Sequence, residues 1–170
     1  MCSSDLGGRR QLGRGEPVFV DIGFGYHGYF TDATRVFSLG PLPQAAMEAH
    51  ALCLDIQEAV RCRLKPGAIP SRIYDEVWGE FVHSRDFTKH FMGFGSNQVP
   101  FLGHGIGLAI DEFPVIAAKV HTPLEANMII AVEPKKGVAG IGLVGVENTF
   151  RVTAEGGEKL TPGTDEITMV

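Results

Sequence analysis

The sequence predicts an α+β domain in which helices cover one face of an antiparallel sheet. Three observations predict this class: strand-like apolar segments come first, two amphipathic helices follow, and further strand-like segments run to the end. No linker or low-complexity tract interrupts this order. Helices segregated to one face of an antiparallel sheet are characteristic of α+β proteins.

The strands are predicted from apolar, β-branched and aromatic runs bounded by glycine. Residues 18–22 form a short apolar run, residues 23–28 are rich in glycine and predict a turn, and residues 29–37 predict a partner strand. In the second half, residues 93–110 predict a glycine-rich loop and strand, and residues 137–145 predict a turn region. The two remaining strands are predicted over residues 128–132 and 146–152.

Two helices are predicted from apolar residues that recur every four positions. The first runs from about Gln44 to Leu64, and Lys65-Pro66-Gly67 ends it. The second follows Ser71, which we interpret as its N-cap. The faces expected to pack on the sheet carry Leu52, Ile56, Val60, Ile73, Val77 and Phe81.

Composition excludes several classes of function. The net charge of −5 is mild and acidic, which argues against a nucleic-acid-binding protein. No apolar run approaches membrane-spanning length, and no signal peptide opens the chain, so we expect no membrane partner and a cytoplasmic location.

The first residues differ in character from the remainder. Residues 1–12 show no apolar period, and Met-Cys-Ser-Ser-Asp-Leu matches the translation of a common sequencing-adapter end. We therefore interpret residues 1–12 as a non-native segment and residues 13–170 as the domain.

Four carboxylates lie in apolar, strand-like surroundings: Asp21, Asp32, Glu133 and Glu147. Acidic residues are seldom buried unless they are paired or bind metal, so these four need cations. Glycines lie between the two aspartates and between the two glutamates, and a hairpin at each place can bring its pair to one face. One alternative is that the acids pair with Arg35 and Lys135.

His104 is the candidate imidazole ligand. It lies in Phe-Leu-Gly-His-Gly-Ile-Gly-Leu, where the flanking glycines allow close backbone approach. A lone histidine in an apolar stretch can also be an ordinary core residue. Together with four carboxylates, however, it predicts an oxygen-rich site for two divalent ions such as Mn²⁺, Co²⁺, Fe²⁺ or Zn²⁺.

Five segments together resemble a known family. Val-Asp-Ile-Gly followed by Thr-Asp-Ala-Thr-Arg, then Gly-His-Gly-Ile-Gly-Leu, Ala-Val-Glu-Pro and Gly-Val-Glu-Asn-Thr are similar in order and spacing to the pita-bread metallopeptidases. That group includes methionine aminopeptidase, aminopeptidase P, prolidase and creatinase. The resemblance implies the C-terminal part of a pita-bread fold. It also implies a dinuclear metallohydrolase of the aminopeptidase P or prolidase type, which cleaves the bond before proline with a metal-bridging water.

The resemblance also implies the role of each site residue. Asp21, Asp32, His104, Glu133 and Glu147 would be the metal ligands, with Asp32 and Glu147 bridging both ions. Glu133 would in addition carry the proton from the water toward the leaving amine, so Glu133 and His104 are the catalytic candidates. Mn²⁺ or Co²⁺ is the expected cofactor, the expected partner is a peptide or dipeptide substrate, and a homodimer is left open.

Three departures from the family pattern bear on the substrate. Asp111 stands where the family usually has a second histidine that contacts the substrate, so we assign Asp111 to substrate binding. Gly145 stands where proline-specific members tend to carry an arginine. The family's upstream substrate histidine has no counterpart in residues 1–12. We therefore expect a truncated catalytic domain that is not an active peptidase by itself.

Two other functions stay open on the sequence alone. One is a metal-free hydrolase of the creatinase type, and the other is a non-catalytic pita-bread binding module. Both are disfavoured because all five ligand positions are retained.

Overall fold

The computed structural model describes residues 11–82 and 85–170. Within these residues, two strands come first, three helices follow, and eight strands complete the chain. The helices are α1 (Gln44–Arg63), α2 (Pro70–Phe81) and the short α3 (Arg85–Thr88). The strands are β1 (Pro17–Tyr26), β2 (Tyr29–Ser38), β3 (Phe101–Gly105), β4 (Glu112–Ala117), β5 (Ile129–Val132), β6 (Lys135–Val138), β7 (Gly142–Gly145), β8 (Asn148–Thr153), β9 (Gly156–Lys159) and β10 (Thr168–Met169).

The strands form three sheets in the described part of the chain. A five-stranded sheet has the order β4-β3-β5-β8-β9, a three-stranded sheet has the order β1-β2-β10, and β6 pairs with β7. Every pair is antiparallel except β10 with β2. The predicted α+β class with an antiparallel sheet is therefore confirmed.

The β1–β2 hairpin is longer than the sequence suggested. The predicted turn over residues 23–28 is wrong at its start, because β1 continues to Tyr26 and the turn contains only His27 and Gly28. Both turn residues have positive φ, 49° and 86°, as a two-residue hairpin turn of type I′ requires. Alternating glycine does not break a strand whose partner supplies a complete hydrogen-bond ladder.

Both long helices pack on the five-stranded sheet, as the four-residue spacing predicted. Ile56 and Val60 of α1 and Ile73 and Val77 of α2 are buried in one core cluster with strand residues. Leu52 and Phe81 pack against the same cluster and are partly buried. The helices are therefore a scaffold on one side of the sheet.

The start of α2 differs from the prediction. Ser71 is not the N-cap; Ile69 occupies that position and Pro70 is the first helical residue. Proline suits this place because it has no N–H to satisfy and its φ is already helical. The Ser71 hydroxyl instead lies 3.1 Å from Nδ1 of His121.

Several elements could not be seen in the sequence. Strand β4 is largely apolar but contains Pro114, which argues against a strand, and β9 and β10 are too brief to show a period. Residues 1–10 of the predicted non-native segment lie outside the described residues. No helix in the described ranges has the length and apolar content needed to cross a membrane.

We expect Ile56→Ala to lower the free energy of unfolding by about 2–5 kcal/mol, because it leaves a cavity in a fully buried position. Met47→Ala is the matched control, since Met47 lies on the same helix with 43% of its surface exposed. Urea denaturation of both variants measures the difference. Equal effects of the two substitutions would contradict the assignment of this helix face to the core.

Candidate metal centre

An isolated β-bridge joins the β1–β2 hairpin to the region that carries Glu147. Thr34 and Glu147 exchange backbone hydrogen bonds of 3.3 and 3.4 Å. The Thr34 hydroxyl also donates to Oε2 of Glu147 at 3.0 Å, and the Thr149 hydroxyl donates to the Asp32 carbonyl at 3.0 Å. These contacts bring the carboxylates of the hairpin to those of the five-stranded sheet.

The hairpin register places its two aspartates on one face. Asp21 lies opposite Thr34, and Asp32 lies opposite Gly23, so the aspartates are diagonal neighbours. Similarly, Val132 pairs with Asn148, which places Glu133 and Glu147 next to each other where that ladder ends. Hairpin formation at both places therefore agrees with the prediction from the glycine spacing.

His104 lies on β3, an interior strand of the five-stranded sheet. It pairs with Ala131 of β5 on one side and Val115 of β4 on the other. A Cβ on Gly103 would lie 2.3 Å from the Ala131 oxygen, and one on Gly105 would lie 2.7 Å from the Phe113 oxygen. Only glycine fits at these two positions, so the expected close backbone approach around the histidine is present.

Three potential ligand groups converge in the buried interior. One ligand atom each from Asp32, His104 and Glu147 lies within 4.8 Å of the other two. Oδ1 of Asp32 is buried with no hydrogen-bond partner, which is costly unless a cation binds it. Nδ1 of His104 lies 3.0 Å from the Gly105 carbonyl oxygen, so Nε2 is the nitrogen left to bind a metal. The donor set therefore fits divalent cations.

Glu133 completes one side of this cluster. Its Oε1 lies 3.8 Å from Nε2 of His104, the same distance that separates this nitrogen from Oε1 of Glu147. Its Oε2 accepts a hydrogen bond from the ammonium of Lys135. The alternative pairing of the acids with cations is thus present for one acid, whereas Arg35 binds the carbonyl oxygen of Glu147 rather than a carboxylate of the cluster.

Asp21 and Asp111 lie at the exposed margin of the cluster. Asp21 is exposed, so its expected burial is wrong; β1 is the edge strand of its sheet, and no described element covers this end. It is still close enough for its charge to act on Asp32 and Lys135. Asp111 is 74% exposed, and its Oδ1 lies 3.5 Å from Nδ1 of His104.

A polar network behind the cluster was missed by sequence reasoning. Gln57 donates to the Val132 carbonyl, and Asn148 donates to the Gln57 side chain, both at 2.8 Å. Arg35 donates to the Glu147 carbonyl at 2.9 Å and to Oδ1 of Asn148 at 2.9 Å. The network fixes the backbone beside both glutamates. Gln57 lies on the apolar face of α1 with Cys53, Ile56 and Val60, and a polar residue on that face could have indicated a buried hydrogen-bond network.

Burial and mutual repulsion alter the proton affinity of the cluster. Burial, followed by the charge of Glu147, raises the pKa of Asp32 to about 7. Burial also raises the pKa of Glu133, against the opposing charge of Lys135. Burial disfavours the His104 cation, but Glu147, the Gly105 carbonyl, Glu133 and Asp111 outweigh it and raise the pKa of His104 to about 9. Burial is the largest cause for the two carboxyls, and the charge of neighbouring carboxylates raises all three pKa values.

Comparison with known proteins identifies the family. The model of metallopeptidase family M24 matches residues 2–154. The chain belongs to metallopeptidase family M24. The order of motifs that suggested a pita-bread metallopeptidase is thereby confirmed at the level of the family.

The relatives that this chain resembles are more than twice as long as the segment they share with it. A Xaa-Pro dipeptidase from Pyrococcus furiosus is 30% identical over 158 residues, which are 93% of this chain and 43% of the relative. The solved X-Pro aminopeptidase of Thermotoga maritima is 30% identical with a TM-score of 0.81, over 92% of this chain and 42% of that one. A dipeptidase structure from Pyrococcus horikoshii is 25% identical with a TM-score of 0.83, over 96% and 44%. The pita-bread fold is therefore shown, and the M24 chain spans less than half the length of these relatives.

We expect the ion-free protein to lose stability as pH rises from about 4 to about 9. A carboxyl whose pKa is raised from 3.8 to about 7 binds more protons when folded, so its contribution falls across that window. The imidazole of His104, raised from 6.5 to about 9, contributes in the same direction above pH 6.5. Urea denaturation in chelator at several pH values measures the slope.

Asp32→Asn is the control for this pH dependence. It removes the titrating carboxyl, and we expect it to make the fall between pH 4 and 7 shallower by on the order of 2 kcal/mol. An unchanged slope in the variant would show that Asp32 does not titrate in this window.

Proposed function

We propose that the complete protein containing this chain is a dinuclear metal-dependent Xaa-Pro aminopeptidase or dipeptidase. The observation that carries the proposal is the convergence of Asp32, His104 and Glu147, with one aspartate oxygen buried and unpartnered, in a member of family M24. The Xaa-Pro activity named for the relatives supports the choice of substrate.

Five residues would hold the two ions. Asp32 and Glu147 would contact both, Asp21 would complete one site, and His104 with Glu133 would complete the other. The exposure of Asp21 and the burial of the other four fit a site that opens toward solvent at the β1–β2 hairpin. Manganese or cobalt is the proposed metal, since carboxylate oxygens and one imidazole suit such ions.

The chemistry divides between the ions and the protein. Two divalent ions, when bound, supply Lewis acidity that activates water and polarises a carbonyl. Glu133 accepts a proton at one carboxylate oxygen and returns it to the leaving amine. The Gly105 carbonyl keeps His104 in the tautomer that presents Nε2 to the cluster. The network of Gln57 and Asn148 keeps the two glutamates in register.

The substrate would approach from the side of the cluster that bears Asp111. This exposed carboxylate lies beside His104 and is placed to contact a positively charged or hydrogen-bond-donating part of a peptide. A short peptide or dipeptide with a free amino terminus fits this charge. We propose a cytoplasmic location and no nucleic-acid or membrane partner, in keeping with the mild acidic charge.

The test is metal content and activity of the full-length gene product. We expect the wild type to bind two divalent ions and to cleave Xaa-Pro dipeptides with Mn²⁺ or Co²⁺. We expect Glu147→Gln to lower kcat/KM by at least about 10³-fold and to lose bound metal, because an amide has no charge to neutralise the ions. Elemental analysis and peptide cleavage measure both effects.

Glu158→Gln is the matched control, because Glu158 pairs with Arg151 on the surface, away from the cluster. It should keep both metal and activity. Wild-type protein that is folded but binds no divalent ion would favour a metal-free hydrolase or a binding module instead. Full metal content in Glu147→Gln would contradict the bridging role.

We expect the 170-residue chain by itself to show no Xaa-Pro cleavage at ordinary enzyme rates. It spans less than half the length of its relatives, and within residues 11–82 and 85–170 β1 is an edge strand, which can pair with other chains. The hairpin also exposes Ile22, Phe24 and Tyr26, each by more than half of its surface, which favours aggregation. Light scattering and a cleavage assay with added Mn²⁺ measure the outcome. A monodisperse chain that turns over substrate would contradict this expectation.

A further inference from the structure

Lys135 introduces a cation into the acidic cluster. Its side chain is 18% exposed, and its ammonium donates to Oε2 of Glu133. This contact places a positive charge directly against one of the four carboxylates that would hold the ions.

The pairing of β6 with β7 explains why the ammonium group is supplied by β6. Lys135 pairs with Gly145 of β7. Gly145 has φ 153°, and a Cβ there would lie 2.5 Å from the Pro134 oxygen and 2.7 Å from Cα of Lys135. No side chain fits at position 145, so a charged group at this rung of the hairpin can come only from position 135.

The contact also divides the two oxygens of Glu133 between different partners. Oε2 is taken by Lys135, and Oε1 faces Nε2 of His104 at 3.8 Å. A carboxylate held in this way presents one oxygen to the interior of the cluster. Its rotation is restricted because turning it would break a charge-assisted hydrogen bond.

We propose that Lys135 is a positioning residue that holds Glu133 with one oxygen directed into the cluster and competes, as an internal counter-ion, with the divalent cations. The inference rests on the proposed function. Two effects follow from it, and they have opposite signs. The ammonium repels the ions and weakens their binding, while it orients the carboxylate that moves the proton.

The test compares three substitutions of Lys135 in the full-length gene product. Lys135→Met keeps the length of the side chain and removes the charge, so we expect Mn²⁺ to bind about tenfold more tightly. We expect kcat for Xaa-Pro cleavage to fall about tenfold with KM changed less than about twofold, since Glu133 loses its orientation. Lys135→Arg should restore both values, because it keeps the charge and a donor.

Lys135→Gln separates charge from orientation. The amide can still donate to Glu133 but carries no charge, so ion affinity should rise as in Lys135→Met while kcat stays closer to that of the wild type. Lys119→Met removes an exposed lysine remote from the cluster and should change neither quantity. Calorimetric titration with Mn²⁺, thermal unfolding and steady-state kinetics provide the readouts.

The outcomes distinguish this inference from the proposed function. Wild-type protein that binds no divalent ion contradicts the proposed function itself. Wild type that binds ions, with equal or weaker Mn²⁺ binding in both Lys135→Met and Lys135→Gln, overturns the role of Lys135 alone. If Lys135→Met does not fold, Lys135→Gln and Lys135→Arg still decide the sign of the effect on ion affinity. An arginine variant that behaves like the methionine variant also overturns the proposal.

Discussion

The bridge between Thr34 and Glu147 is the contact on which the rest of the site depends. It is the point where the β1–β2 hairpin, formed early in the chain, meets the strands that carry the two glutamates. The Thr34 hydroxyl at 3.0 Å from Oε2 of Glu147 makes the contact specific to that carboxylate. Together with the hydrogen bonds from Thr149 to the Asp32 carbonyl and from Arg35 to the Glu147 carbonyl, it holds the aspartates and the glutamates in one volume although their strands belong to separate sheets.

The convergence of the aspartates and glutamates at this bridge places like charges close together in a buried site. Burial and, after it, the charge of Glu147 raise the pKa of Asp32 to about 7. His104 and Lys135 compensate part of the charge from within the chain. The buried, unpartnered oxygen of Asp32 remains, and it is a natural position for a metal ion in a member of family M24. The same repulsion that destabilises the ion-free cluster would favour cation binding.

The polar network behind the cluster keeps the carboxylates in place against this repulsion. Gln57 connects helix α1 with β5 and with Asn148 of β8, and Arg35 connects β2 with Asn148. Each bond is buried or partly buried, so breaking it would leave an unsatisfied polar group. The carboxylates therefore cannot relax apart without the loss of several hydrogen bonds. Helix α1 contributes to the site in this way although it supplies no ligand.

The sequence by itself determined the fold class, the faces of the two long helices, and the family to which the chain belongs. These follow from local periodicity and from motif order, which are properties of neighbouring residues. The tertiary structure decided the contact of Lys135 with Glu133, the exposure of Asp21, and the network through Gln57. Each of these depends on register or on what covers a strand edge: Lys135 faces Gly145 because β6 and β7 pair in one register. A one-residue shift in that pairing would turn the ammonium to the other face of the hairpin, and the register is set by the turn between Val138 and Gly142, which no apolar period reveals.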